Sequence, residues 1–222
     1  MGKSRYATMS TVNALAPSTD AAPIQVNGKV HAMPPRRQKD TRPRKHLTPA
    51  EVAALLKAAR KSGRYGLRDE ALVLTAYRHG LRASELVNLR WSAVDLRGHT
   101  IAINRAKGGM DTQHPLRAVE LRLLGRLRRE NPDSEYVFLS ERGTPMTTAN
   151  FRKVLARLAK AAGPAIAIKL NPHALRHACG FYLAGKGVDT RALSHYLGHR
   201  SLQSTERYTA QTAARFKDFW RD

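Results

Sequence analysis

From residue 47 onward, apolar side chains recur at helical spacing between clear start and stop signals; before residue 45 they do not. The run Leu47-Thr48-Pro49-Ala50-Glu51 predicts a sharp helix start. Thr48 is the N-cap, Pro49 fits N1, Glu51 at N3 completes a capping box, and Leu47 and Val52 are placed as a hydrophobic staple. This helix is expected to run through Val52, Leu55 and Leu56 to a stop at Gly63. A second helix is predicted over 68–78, with Leu72, Val73 and Tyr77 on its spacing and Gly80 as its C′ residue. A third is predicted over 83–90. Residues 100–104 alternate as a strand, 107–109 supply a turn, and 113–118 return antiparallel. A further short strand is expected at 136–139. Helices are then expected at 147–162, 172–184, 189–197, 201–208 and 211–220, with Asn171-Pro172 and Asp189 as start signals. The predicted fold is mainly α with one small antiparallel β-sheet.

Residues 1–45 are rich in Ala, Ser, Thr and Pro and carry no sustained apolar period, so they read as a basic, disordered N-terminal tail or linker. Residues 46–222 read as the folded domain. Charge sharpens the picture. The 222 residues hold 39 Lys and Arg against 17 Asp and Glu, a formal net charge of +22. The tail accounts for +7 of this and the rest for +15, so the folded part must itself present a positive surface. The natural partner of such a chain is a polyanion, and double-stranded DNA is the expected one. The sequence shows neither a membrane-length apolar run nor a secretory h-region, so no membrane partner is expected and the protein reads as cytoplasmic, associated with the nucleoid. One cysteine excludes an intramolecular disulfide.

Several polar residues stand where a bland domain has no need of them. Arg82 follows Gly80-Leu81 at a helix mouth, with Glu85 three positions on; Lys107 lies at the predicted hairpin tip. His173 and Arg176 share a helix face, His199 follows Leu197-Gly198, and Tyr208 ends a short helix. Paired arginines can hold the non-bridging oxygens of one phosphodiester. A tyrosine becomes a nucleophile when a histidine takes its proton, and a lysine can protonate the leaving 5′ oxygen. The set is complete for phosphoryl transfer through a covalent phosphotyrosine, and that chemistry requires no metal or other cofactor. Taken singly, each residue has a plainer reading: a solvated helix-end arginine, a turn lysine, a half-buried tyrosine. His173 and His177 form an i, i+4 pair with zinc-binding spacing, but no third ligand is evident and Arg176 beside them repels a cation. Cys179, Phe181 and Tyr182 read as core.

In order and spacing, His79-Gly-Leu-Arg-Ala-Ser-Glu-Leu86, His173-Ala-Leu-Arg-His177, Leu197-Gly-His199 and Arg207-Tyr208-Thr209 resemble the tyrosine recombinases, or phage-type integrases. The resemblance runs from about Leu47 to the C-terminus and implies the family's catalytic domain over 46–222. Carried over by position, it makes Arg82 and Arg176 the phosphate-binding pair and Lys107 the general acid, with Lys169 a rival lysine. It makes His173 the proton acceptor, His199 a phosphate hydrogen-bond donor, Tyr208 the nucleophile and Glu85 a supporting residue. Lys107-Gly-Gly, Thr112-Gln-His-Pro-Leu116, Tyr136-Val-Phe-Leu-Ser140 and Asp189-Thr-Arg191 look, more narrowly, like the small recombinases that invert fimbrial promoter elements. The implied activity is site-specific recombination, by inversion or by integration and excision, in a homotetramer on paired DNA sites. Most family members place a core-binding domain before the catalytic one. Here residues 1–45 stand in its place, so DNA-bending accessory proteins or cooperative assembly join the expectation. The family's terminal helix often docks on a neighbouring protomer, a role that Phe216, Phe219 and Trp220 suit. Two other readings keep some of these residues: a relaxing type IB topoisomerase-like enzyme, and a catalytically silent DNA-binding regulator.

Overall fold

A computed structural model describes the backbone at 25–26 and 29–30, and residues 44–105 and 110–209. The chain divides into the units Met1–Pro43 and Arg44–Asp222. In the first, β1 (Gln25–Val26) and β2 (Lys29–Val30) form a two-residue antiparallel ladder. The helix expected at 211–220, with its three aromatic residues, lies outside the described residues.

The second unit opens as its capping box dictates. Thr48 Oγ1 accepts from the Glu51 backbone N–H at 3.2 Å, and the Glu51 carboxylate accepts from the Thr48 N–H at 2.7 Å. From there α1 (Pro49–Arg60) runs twelve residues. Glu51 is nearly buried and also accepts from Arg44 at 2.8 Å and from the Ala167 backbone at 3.1 Å, which ties the start of α1 to the connector after α5. The Arg44 guanidinium, with the Thr48 and Ala167 N–H groups, holds the Glu51 carboxyl far below the ordinary carboxylate range against the opposing pull of burial. A depressed folded-state pKa stabilises the fold above the ordinary value of 4.5, and the contribution is lost as pH falls toward the folded value. Glu51→Ala is therefore expected to cost about 2 kcal/mol at neutral pH. In urea titrations the gap from wild type should close as the pH is lowered below 4.5.

Helix α1 stops at Arg60 rather than at Gly63, because Ser62 turns to donate to Asp69 at 3.0 Å and 63–65 wind as a 3₁₀ turn. Next come α2 (Gly66–Arg78) and α3 (Ala83–Val87). Gly80, with φ +58°, takes the left-handed position that ends α2. Helix α3 is shorter than expected since the backbone at 89–91 pairs elsewhere: Val137 donates to the Leu89 carbonyl and Trp91 to that of Glu135, both at 3.0 Å. Strands β3 (Val94–Asp95), β4 (Thr100–Ile103) and β5 (Thr112–Pro115) form an antiparallel sheet in that order, with Ile101 opposite His114 and Ile103 opposite Thr112. The strand expected at 136–139 forms only isolated bridges, Arg90 to Tyr136 and Leu139 to Pro145, the latter limited by a residue without an N–H.

The chain then makes α4 (Ala118–Glu130), α5 (Thr148–Ala162), α6 (Pro172–Gly185), α7 (Thr190–Leu197) and α8 (Gln203–Thr209). The pattern reading misses α4 entirely and carries β5 on to 118, where the helix begins. Its N-cap is Arg117, which has no capping oxygen; Glu120 instead reaches back to the Arg117 N–H at 3.1 Å. The buried stripe Leu123, Leu124 and Leu127 is the signal that marks it. One large core joins α1 to α5 and the sheet through Leu55, Leu72, Leu86, Ile101, Phe138 and Leu155. A second, smaller core lies under α6, α7 and α8 and holds Cys179, Leu193, Leu197 and Tyr208. Tyr182 does not belong to it: the side chain is 42% exposed, with the Lys186 ammonium 5.8 Å from its ring.

Candidate active site: an arginine cluster beside a buried tyrosine

Three chain segments converge where α2 ends. Arg82 precedes α3 and is held by Glu85: the backbone N–H donates to Oε2 at 2.9 Å and Nη1 to Oε1 at 2.6 Å. Glu85 is buried and takes a second arginine, Arg105, whose Nη1 donates to Oε2 at 3.1 Å. Burial pushes the Glu85 carboxyl up, but the Arg82 hydrogen bonds and the Arg82 and Arg105 charges outweigh it and keep it ionised below its usual range. Arg176, on the inner face of α6, is also buried and donates Nη1 to the Gly80 carbonyl at 2.5 Å and Nη2 to the Leu197 carbonyl at 2.6 Å. Burial, with Arg82 and Arg105 nearby, brings its pKa down to about 10, so it stays charged at neutral pH. Three guanidinium groups around one carboxylate leave an excess of positive charge in a place water reaches poorly. That is the electrostatic requirement of an anion site.

Tyr208, on α8, seats its ring on α6. A Cβ at Gly180 would lie 2.8 Å from Cε2 and Cζ of the ring, so only glycine leaves the space. Phe181 meets the ring edge-on at 5.1 Å, and His199 stacks beside it at 6.2 Å. The phenol is 3.0 Å from Nδ1 of His177. Burial raises the Tyr208 pKa, while the charges of Arg176 and Arg207 pull it back. Burial, Arg207 and the other nearby cations bring His177 down to about 4, and burial with Arg176 does the same for His199. Both imidazoles are thus neutral at pH 7, as a proton acceptor must be. His199 is fixed through Nδ1 to the buried Thr205 hydroxyl at 2.7 Å. Gly180→Ala should push the ring out of its seat and cost about 1–3 kcal/mol. Thermal melting would read the loss, and ultraviolet titration would show the phenol moving toward its ordinary pKa of 10.0.

The structure thus brings Arg82, Glu85 and Arg176 into one cluster, with Tyr208 and His199 packed together within the field of Arg176. His173 is exposed at the start of α6, its ring 6.4 Å from that of His177. His177 lies within hydrogen-bonding distance of the phenol. Lys107 lies in 106–109, outside the described residues, and Lys169 is exposed on the connector between α5 and α6. Among the described residues no group of three or more His, Cys, Asp or Glu side chains could hold a metal ion, and no helix is long and apolar enough to cross a membrane.

Arg105 escapes motif reading and His177, though part of the quoted motif, receives no role from it, yet signals for both are in the sequence. Arg105 continues the inward parity of Ile101 and Ile103 beyond the end of β4. His177, Gly180 and Phe181 fall at i, i+3 and i+4, the spacing of one helix face, which is the face that receives Tyr208.

Comparison with known proteins agrees with this arrangement. The model of the phage integrase family matches residues 45–215. The chain is 41% identical over 186 residues to the type 1 fimbriae regulatory protein FimB of Escherichia coli (strain K12), covering 82% of this chain and 92% of that protein. The crystal structure of XerA recombinase superposes with a TM-score of 0.67 at 29% identity, over 78% of this chain and 63% of that one. The Tn1549 transposon integrase, solved in complex with circular intermediate DNA, superposes with a TM-score of 0.66 at 25% identity, over 78% and 65% respectively. The chain therefore spans just under two thirds of these two longer structures. A match over most of the chain, joined to a fold that gathers Arg82 and Arg176 at the end of α2 with His199 and Tyr208 in the field of Arg176, places the chain in the phage integrase family, the tyrosine recombinases.

Proposed function

We propose that this chain is a site-specific DNA recombinase that cuts and rejoins duplex DNA through a covalent 3′-phosphotyrosine on Tyr208. The observation that carries this reading is the placement of Arg176: it grips the ends of α2 and α7 while its charge acts on the Tyr208 phenol. Arg82 and Arg176 hold the non-bridging oxygens of the scissile phosphate, and neutral His199 donates a further hydrogen bond to it. The phenol leaves His177 for the phosphorus and gives its proton to an imidazole. The exposed His173 takes that role at the phosphate, and His177 holds the phenol at rest. The Tyr208 O–P bond forms as the P–O5′ bond breaks. Lys107 supplies the proton to the departing 5′ oxygen. The ester retains the energy of the broken bond, so a 5′-hydroxyl from a second duplex can reverse the step on a new partner.

Residues 1–45 are read as a basic tail on the DNA, and 46–222 as the catalytic domain. The resemblance to the small recombinases that invert fimbrial promoter elements, joined to the likeness to a fimbriae regulatory protein, supports inversion between paired sites, and the likeness to a DNA-bound integrase supports DNA as the partner. Four protomers on two sites, with DNA-bending accessory proteins, complete the assembly proposed for the nucleoid. The test is covalent capture. The protein is incubated with a pool of duplexes randomised at the centre, and complexes that survive denaturation are sequenced. A shared sequence around a single nick is expected, and binding should weaken steeply with salt. Recovery of DNA without a shared sequence, together with relaxation of any supercoiled plasmid, would favour a topoisomerase-like enzyme. Binding without covalent capture would favour a silent regulator.

A further inference from the structure

We propose that Arg105 is a positioning residue of strand cleavage, one that sets Arg82 and Arg176 in place without meeting the DNA; the inference rests on the reading above. Its side chain is fully buried. To reach the cluster it passes Gly198 so closely that a Cβ there would lie 2.6 Å from Cγ, 2.7 Å from Cδ and 2.8 Å from Nε. Gly198 also carries φ +62° at the end of α7, so both backbone and space require glycine. The guanidinium of Arg105 then makes three contacts. Nη1 donates to Glu85 Oε2 at 3.1 Å, the carboxylate whose other oxygen holds Arg82. Nη2 donates to the His79 carbonyl at 3.3 Å and to the Tyr196 carbonyl at 2.5 Å.

Those two carbonyls belong to the residues just before Gly80 and Leu197, the two that Arg176 grips. Two buried arginines therefore hold consecutive carbonyls at the ends of the same two helices, Arg105 taking His79 and Tyr196 where Arg176 takes Gly80 and Leu197. Arg105 fixes the distance between the end of α2 and the end of α7. That distance decides where Arg176 sits and, through Glu85, how Arg82 is turned. It does so at the cost of a buried charge, with Nε lacking a partner among the described residues. An apolar side chain of the same length would fill this space without that cost, which points to orientation rather than packing as what the guanidinium supplies.

The experiment compares two suicide duplexes carrying the captured site, one with the natural phosphodiester at the scissile position and one with a neutral methylphosphonate. The second lacks the charge that Arg82 and Arg176 must stabilise. If Arg105 acts through them, Arg105→Met should lose at least about 100-fold in cleavage of the phosphodiester and less than about tenfold on the methylphosphonate. Equal losses on both duplexes would mean that Arg105 only supports the fold, and undiminished cleavage of both would mean that it does nothing; either overturns the proposal. Should Arg105→Met fail to fold by circular dichroism, Arg105→Lys keeps the charge and loses the fork. The same selective loss is expected of it, and a ratio equal to that of wild type would overturn the proposal. Failure of the wild-type protein to cleave either duplex would instead count against the proposed function.

Discussion

Replacing Tyr208 with Phe is expected to abolish covalent protein–DNA complexes, a loss of at least about 10⁴-fold in cleavage, while DNA binding changes by less than about threefold. The asymmetry follows from where the phenol sits. Tyr208 is 1% exposed, its ring packed on Gly180, Phe181 and His199, and its hydroxyl reaches Nδ1 of His177. Phe keeps the ring and all of that packing. What it removes is the oxygen, along with the hydrogen bond to His177, worth about 1 kcal/mol. Stability should therefore change little, as melting curves would show, and any large fall in adduct formation belongs to chemistry. Adducts that survive the substitution would assign the nucleophile elsewhere.

Arg82 and Arg176 should separate under substitution, because they are built in differently. Either one, lost, removes charge stabilisation of the transition state worth about 10²–10³ in rate. Arg176, however, is buried and donates to two backbone carbonyls. Arg176→Ala is expected to cost about 3–5 kcal/mol of fold stability as well. The side chain of Arg82 is 23% exposed and pairs with a carboxylate that Arg105 also holds, so Arg82→Ala should cost only about 1 kcal/mol. Cleavage on suicide substrates and urea denaturation of the same preparations would resolve the two effects. Equal destabilisation by both substitutions would contradict this account of the cluster. Where Arg176→Ala is too unstable to assay, Arg176→Lys retains the charge but cannot span both carbonyls, and should still show the combined loss.

Much of this site is legible in the chain because its residues lie at the ends of elements, where capping and glycine signals are strong. Gly80 and Gly198, both left-handed, mark the ends of α2 and α7; Arg82 stands two residues after the first and His199 directly after the second. Asn171-Pro172 starts α6 and so fixes the face on which Arg176 lies. Less legible are features that depend on tertiary packing. Helix α4 has an arginine at its N-cap and a solvent face crowded with arginine, so its start signal is absent and only Leu123, Leu124 and Leu127 betray it. The role of His177 depends on α8 folding back over α6: spacing sets it on one helix face with Gly180 and Phe181, but only the fold shows that this face receives Tyr208. Arg105 reads as one more cation in a basic chain until Gly198, 93 positions later in sequence, is seen to yield it room. Tyr182 is the converse case: it shares a helix with Cys179 and Phe181 but stands 42% exposed, meeting only the edge of the Tyr77 ring among the described aromatic contacts.

At the centre of this account is a bond between the phenolic oxygen of Tyr208 and a 3′ phosphate of DNA. The most direct measurement is to trap the complex on a nicked suicide duplex, digest protein and DNA, and locate the nucleotide-bearing peptide by mass spectrometry. The expected result is a nucleotide linked through its 3′ phosphate to Tyr208, with a free 5′-hydroxyl on the other DNA end. A nucleotide found on another residue, or a linkage through the 5′ phosphate, would contradict it.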